Sequence, residues 1–173
     1  IIPTSSTTSQ LALGDALAIA TMKQKKFSKI DFKKIHPAGS LGAQLKTVED
    51  IMLKNKAIPF VDENLKMINA LKILNEKKLG FLLVRDKRNL TKGIITDGEL
   101  RRYSQKKQNL HNLFANQIMT KNPIGIEKDE LAVKALALMN NKKITSLCVY
   151  NKKNKKKTIG VLHIHNILQS NIS

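Results

Sequence analysis

The chain has 173 residues, of which 42% are hydrophobic, 25% charged and only 4% aromatic, with one cysteine, no tryptophan and a net charge of +18. This is ordinary globular composition with a core built from Ile, Leu, Val and Met. It excludes an internal disulfide, and no apolar run approaches the ~20 residues of a membrane span; the nearest, over 11–22, is broken by Gly14 and Asp15.

Residues 1–46 read differently from the rest. Pro3-Thr4-Ser5-Ser6-Thr7-Thr8-Ser9 is a hydroxyl-rich loop suited to capping a helix after it. Leu11, Leu13, Ala16, Leu17, Ala20 and Met22 then recur at roughly helical spacing, with Lys23, Lys25 and Lys26 at the negative end of the dipole. Ser28-x-x-Asp31 predicts a capping box for a second short helix over 31–35, which Pro37 and Gly39 terminate in a tight loop over 36–42. Two helices and two loops cannot build a core of their own, and the chain opens Ile-Ile-Pro rather than with Met. The segment is expected to be the tail of a larger domain.

From residue 48 onward one template is used twice, over 48–102 and 116–169. Each copy opens on Ile-Met, at Ile51-Met52 and Ile118-Met119. Each then has an acidic helix start and an apolar helical pattern ending Asn-x-Lys-Lys, at 75–78 and 140–143. A strand, a charged hairpin and a Gly-apolar-apolar strand come next, the last at 93–96 and 160–163. The Ile-Met pair and the final Gly recur 67 positions on, and the middle elements 65 on. Insertions confined to loops mark a structural repeat.

After a short helix from 48, the first copy is predicted as strand 59–61, helix 64–77, strands 81–85 and 93–96, and a helix from 97 to about 102. The second gives strand 124–126, helix 130–141, strands 146–150 and 158–163, and a helix from about 165. Leu65, Ile68, Leu71 and Leu74 form the apolar face of the first long helix. The continuously apolar runs 81–84 and 147–149 predict sheets covered on both faces. Cys148 lies in such a run, and a reducing cytoplasm fits a lone thiol. The fold class is therefore α/β (α+β): two pseudo-symmetric β-α-β-β-α repeats packed face to face, with a ligand cleft between them.

The positive charge is spread evenly, +5 over 1–46, +6 over 47–108 and +7 over 109–173, and Lys outnumbers Arg 27 to 4. That pattern suits codon bias in an AT-rich genome better than a nucleic-acid groove, which favours Arg and interleaved aromatics. The run Lys152-Lys153-Asn154-Lys155-Lys156-Lys157 lies between two strands. It reads as a solvated hairpin tip, with a polyanion contact as the other reading.

The repeats resemble a tandem pair of CBS domains, a Bateman module, over about 47–171, and Gly-Ile-Ile-Thr-Asp-Gly-Glu-Leu-Arg-Arg at 93–102 is a specific instance of its closing strand and helix. The first segment resembles the end of a sugar isomerase (SIS) domain. Its Pro3–Ser9 run, Leu13-Gly14-Asp15-Ala16-Leu17-Ala18 and His36-Pro37-Ala38-Gly39-Ser40-Leu41-Gly42 are similar to the D-arabinose 5-phosphate isomerase family of lipopolysaccharide and capsule (Kdo) biosynthesis. The resemblance implies three parts: a SIS remnant over 1–46 and CBS domains over 47–108 and 109–173. It implies a parent enzyme converting D-ribulose 5-phosphate to D-arabinose 5-phosphate. Most of that catalytic domain is absent, so this chain alone is expected to be inactive.

An aldose–ketose isomerase moves a proton between adjacent carbons and needs a general base. The resemblance implies that His36 lies at or near the active site, although position 38 is Ala where the family usually has Gly. The residues alone fit a helix C-cap equally well. The hydroxyls of Ser5–Ser9 suit either a substrate phosphate or N-capping. In CBS pairs that bind nucleotides, a Thr/Ser-x-x-Asp pattern comes after the last strand. Its carboxylate takes the ribose hydroxyls and its hydroxyl helps hold phosphate at a helix N-terminus. Here the pattern reads Thr96-Asp97-Gly98-Glu99 in the first repeat and His163-Ile164-His165-Asn166 in the second. Glu99 adds a methylene, and Asn166 loses the charge-assisted bond. Arg101 and Arg102 can reach phosphates or simply complement the helix dipole. One competent site is expected, around Thr96 and Glu99. His163 and His165 alternate on a strand end and should point to opposite faces; without a partner Cys or carboxylate they are poor evidence for a metal, and none is expected.

The resemblance thus implies a regulatory nucleotide-sensing pair. Its ligand would be an adenine nucleotide or a cytidine sugar nucleotide, with no required cofactor and with sugar phosphate bound only by the intact enzyme. A homodimer or homotetramer in the cytoplasm is expected, without nucleic acid or membrane as partner. The alternative is a ligand-free oligomerisation scaffold, which the departures at Glu99, His163 and Asn166 permit.

Overall fold

The structure, a computed structural model, describes residues 2–28, 31–32, 35, 39–105 and 109–172. It divides into two compact units, Ile1–Leu45 and Lys46–Ser173.

The first unit carries α1 (Thr4–Gln24) and α2 (Gly39–Gln44). The hydroxyl-rich stretch expected to be a loop is helical from Thr4 onward. Its side chains satisfy themselves on the preceding turn: Thr8 Oγ1 donates to the Thr4 carbonyl and Ser9 Oγ to the Ser5 carbonyl, both at 2.9 Å. The apolar residues of α1, among them Leu11, Leu17 and Ile19, are exposed. The Ser28–Asp31 box forms, with Asp31 Oδ2 accepting the Ser28 N–H at 3.0 Å and the Ser28 hydroxyl at 2.7 Å. Gly39, expected to close a helix, is the first described residue of α2 instead. His36, Pro37 and Ala38 lie outside the described residues.

The second unit opens with α3 (Val48–Ile51), β1 (Leu53–Lys54), β2 (Phe60–Asp62), α4 (Met67–Lys77), β3 (Phe81–Arg85), β4 (Thr91–Thr96) and α5 (Asp97–Ser104). The second copy comprises α6 (Ala115–Ile118), β5 (Thr120–Lys121), β6 (Gly125–Glu127), α7 (Ala132–Lys142), β7 (Ser146–Asn151), β8 (Asn154–His163) and α8 (Ile164–Gln169). The expected β-α-β-β-α order is present twice. β2 runs parallel to β3 and β3 antiparallel to β4, and β6, β7 and β8 repeat that pattern.

The sequence reading missed β1 and β5, because two-residue strands carry no periodicity. Neither joins its own repeat's sheet. β1 pairs with β8 and β5 with β4, giving sheets ordered β2-β3-β4-β5 and β1-β8-β7-β6. The exchange explains the repeated Met and Gly. Gly93 on β4 faces β5, and a Cβ there would lie 2.5 Å from Met119 Sδ. Gly160 on β8 faces β1, and a Cβ there would lie 3.0 Å from Met52 Cγ. Each repeat's Met therefore packs on the other repeat's Gly.

Backbone bonds tie the repeats with the same pseudo-twofold logic. Val48 N–H donates to the Glu130 carbonyl at 2.8 Å and Ala132 N–H to that of Lys46 at 2.9 Å. Ala115 N–H donates to the Leu65 carbonyl at 2.9 Å and Met67 N–H to that of Leu113 at 2.8 Å. The hydroxyls of Thr91 and Thr158, 67 positions apart, meet at 2.7 Å.

Helix α4 buries Met67, Ala70 and Leu74; of the predicted stripe, Leu65 and Leu71 pack half-buried against that core and Ile68 alone is 43% exposed, so the face is turned slightly. The reason is tertiary: Lys66 is held extended in a bridge to Phe114, and the helix starts only at Met67. Helix α7 buries Ala132, Ala135 and Met139 in the equivalent way. Strands β3 and β7 are buried, as their apolar runs predict. Ile58, Phe81, Leu83, Cys148 and Val161 form the cluster between the sheets. There, burial pushes the Cys148 thiol up to about 11, against a hydrogen bond with Thr158, so it is protonated and unreactive at neutral pH. The Lys-rich run is only partly a hairpin tip. Asn154 already pairs with Asn151, so Lys155, Lys156 and Lys157 extend β8, exposed, with Lys155 Nζ 5.9 Å over the Tyr150 ring. Among the described residues no helix is long and apolar enough to cross a membrane.

Candidate functional site

A cavity of about 300 Å³ opens where the two repeats meet. The first repeat supplies Ile94, Thr96 and Glu99; the second supplies Thr120, Asn122, Pro123, Ile124, Lys143, Ile144, Thr145 and Ser146. One part of the wall is apolar, from Ile94, Pro123, Ile124 and Ile144. The rest offers four hydroxyls, one carboxylate, one amide and one ammonium. Two turns shape the rim. Asn122 (φ 54°) comes just after β5, and Lys143 (φ 53°) ends α7, both in the left-handed region. Asn adopts this region at little cost, and a left-handed residue is a common helix stop.

Glu99 is the buried charge of the site, 7% exposed. It closes the capping box of α5: Oε2 accepts the Thr96 N–H at 2.9 Å and also the Thr96 hydroxyl. Oε1 accepts from Arg102 Nη2 and from Thr120 Oγ1, the latter at 2.9 Å. Burial alone would push this carboxyl up. Hydrogen bonds from Thr96 and Thr120, with the Arg102 charge, outweigh it and hold the carboxyl below the usual range. Because Thr120 belongs to the second repeat, the carboxylate is a tie between the repeats as well as a cap. A ligand diol displacing the Thr120 hydroxyl would meet an acceptor already ionised and oriented.

Of the residues singled out from sequence, Thr96 and Glu99 line the cavity. Asp97 and Arg101 are exposed on α5 and do not line it. The Arg102 side chain, 67% exposed, is paired with Glu99. Asn166 takes the place of Glu99 at the counterpart cap: its Oδ1 accepts the His163 N–H at 3.1 Å. His163 and His165 do not point to opposite faces; their rings lie 5.0 Å apart. Helix α8 begins at Ile164, so the strand alternation stops at His163, whose Nδ1 accepts the His165 N–H at 3.3 Å.

Burial, and then the charge of His165, hold His163 below the ordinary histidine value. A histidine kept neutral in the fold contributes stability that is complete above the unfolded value of about 6.5 and is lost as pH falls through the folded one. Thermal unfolding between pH 7.5 and 5.5 should therefore lose a degree or a few in the wild type. It should lose less in His163→Asn, which keeps a capping acceptor. An equal loss in both would remove His163 as the cause.

Thr120, Asn122 and Lys143–Ser146 were missed in the sequence. A signal was available: Thr120 and Asn122 come just after the second repeat's Ile-Met, and Lys143 closes its Asn-x-Lys-Lys with Ile144, Thr145 and Ser146 directly behind it, so both motifs end at the cavity rim.

Comparison with known proteins agrees with this architecture. The family model of the CBS domain matches residues 48–106 and 115–172. The chain is 41% identical over 170 residues to arabinose 5-phosphate isomerase KdsD of Francisella tularensis subsp. tularensis, covering 98% of this chain and 51% of that protein. The chain spans about half the length of the curated relatives it matches. Among solved structures it is similar to CBSX2, an Arabidopsis thaliana protein, in complex with AMP: TM-score 0.61, 23% identity, 72% of this chain and 95% of that one. It is also similar to the CBS domain pair of protein MJ0100 in complex with 5'-methylthioadenosine and S-adenosyl-L-methionine: TM-score 0.62, 22% identity, 72% and 94% covered.

Proposed function

Because the chain belongs to the CBS domain family, with copies over residues 48–106 and 115–172, we propose that it is a regulatory pair sensing a nucleotide in the cavity between its repeats. The observation that carries this reading is the cavity's division of labour. Ile94, Ile124 and Ile144 offer apolar surface to a base. Thr120 and the preoriented Glu99 suit a ribose diol, and Thr96 with Lys143 suits phosphate. An adenine nucleotide is the first candidate because CBSX2 was solved with AMP and the MJ0100 pair with adenosine-derived ligands. A cytidine sugar nucleotide is the second.

The proposal extends to the parent protein. Its relative KdsD supports an arabinose 5-phosphate isomerase, with residues 1–46 from the end of the SIS domain, His36 at or near its active site, and CBS domains over 47–108 and 109–173. The parent would be a cytoplasmic homodimer or homotetramer without a required cofactor. Occupancy would bias the packing of the two repeats through the Glu99–Thr120 tie and so reach the catalytic half.

A thermal-shift panel of AMP, ADP, ATP, CMP, CTP and a cytidine sugar nucleotide tests the reading. A ligand at ~100 times its dissociation constant stabilises the fold by about 2.7 kcal/mol, a shift of several degrees. One selective shift is the expected result. A flat panel would favour a ligand-free oligomerisation scaffold, a reading that draws support from Glu99 having its acceptors engaged internally.

A further inference from the structure

The two repeats present unequal versions of one site. β3 pairs Phe81 with Thr96 on β4, and β7 pairs Ser146 with His163 on β8. Ser146 stands 65 positions after Phe81 and His163 stands 67 after Thr96, the offsets of the repeat itself. Thr96 and Ser146, from opposite repeats, both line the open cavity. Their counterparts meet across the interface as a stack, with ring centroids of Phe81 and His163 6.3 Å apart and planes within 6°. Phe81 is 2% exposed and belongs to the cluster between the sheets. The same two backbone positions thus carry two hydroxyls on one side of the pseudo-twofold and two aromatic rings on the other.

We infer that Phe81, packed on His163, fills the counterpart of the open cavity, and that Phe81 is the residue limiting the chain to one ligand per pair of repeats. The identity of the ligand rests on the nucleotide-sensing reading; the packing does not. A cavity of about 150 Å³ already takes a phenyl ring, so the open cavity of about 300 Å³ has room for one. Where the ring is present its burial stabilises the interface, and where Ser stands that room stays available to a ligand.

Ser146→Phe and Phe81→Ser test this from both sides. Ser146→Phe places the same ring in the open cavity, so its thermal midpoint should rise. A ring forced into filled space would lower it, and that result would overturn the inference. Phe81→Ser should lower the midpoint. Calorimetric titration with AMP supplies the second readout: one AMP per wild-type chain, none for Ser146→Phe, and two for Phe81→Ser/His163→Thr. If that double variant fails to fold, the Ser146→Phe midpoint and titration decide alone. Two AMP per wild-type chain would overturn the inference. No AMP bound by the wild type, together with a raised midpoint in Ser146→Phe, would support the plug and sink the adenine-nucleotide reading.

Discussion

Gly93→Ala will be among the most destabilising single-methyl additions in the CBS pair, at about 1–3 kcal/mol, and Gly160→Ala will cost less. The difference comes from which atoms the new methyl meets. At Gly93 it would approach Met119 Sδ at 2.5 Å, Cγ at 2.7 Å and Cβ at 2.8 Å. The thioether end can rotate away, but the Met119 Cβ moves only if the backbone leading into β5 moves. At Gly160 the nearest atoms are Met52 Sδ and Cγ, the latter at 3.0 Å, with the Leu53 carbonyl oxygen at 3.1 Å. A flexible side chain can absorb most of that. Chemical unfolding of Gly160→Ala in a Met52→Ala background should therefore show partial rescue, whereas Met119→Ala should not rescue Gly93→Ala. Equal costs at both glycines, with equal rescue, would contradict this account of the exchanged edge strands. Against a total stability of roughly 5–15 kcal/mol, the double glycine variant should be visibly marginal.

Glu99→Ala should reduce both stability and ligand response. It removes the acceptor for the Thr96 N–H, the Thr96 and Thr120 hydroxyls and the Arg102 guanidinium. Losing a buried carboxylate with its donors left unpaired costs ~2–3 kcal/mol, a fall in midpoint of about 5–10 °C for a unit of this size. Nucleotide affinity should fall with it; unchanged affinity in a folded Glu99→Ala variant would remove Glu99 from the site. The acid limb separates the carboxylate from simple packing. The folded carboxyl titrates below the ordinary glutamate value of about 4.3, because the hydrogen bonds of Thr96 and Thr120 and the Arg102 charge outweigh burial. Its contribution is therefore present above that value and disappears as pH falls through the lower, folded one. Unfolding of the wild type should steepen below about pH 4.5, and Glu99→Gln should lack that part of the slope.

Much of the fold was legible because the chain states it twice. Agreement between two copies, with insertions confined to loops, located the strands β2, β3, β4, β6 and β7 and the long helices to within a few residues. Sequence signals failed where composition or strand alternation misstated the local backbone, and where a distant contact decided. The hydroxyl run Thr4–Ser9 looked like a loop by composition, yet its hydroxyls bond to their own preceding carbonyls. The apolar face of α4 shifted because Lys66 bridges to Phe114, 48 positions away. The start of α8 at Ile164 brought together two histidines that strand alternation would have separated.

By itself the sequence determined the repeat, the β-α-β-β-α unit, the burial of both central strands and the place of Thr96 at the end of the closing strand with Glu99 in the helix after it. These come from periodicity and from motifs whose parts are close along the chain. Only the tertiary structure decided that each sheet takes an edge strand from the other repeat, that Glu99 ties α5 to Thr120, and that Thr96 and Ser146 both line an open cavity while His163 stacks on Phe81. Each of these is a contact between residues tens of positions apart, in which the partner, rather than the residue, sets the meaning. A Phe in a strand reads as core wherever it stands. Phe81 becomes a plug only because the second repeat places His163 against it.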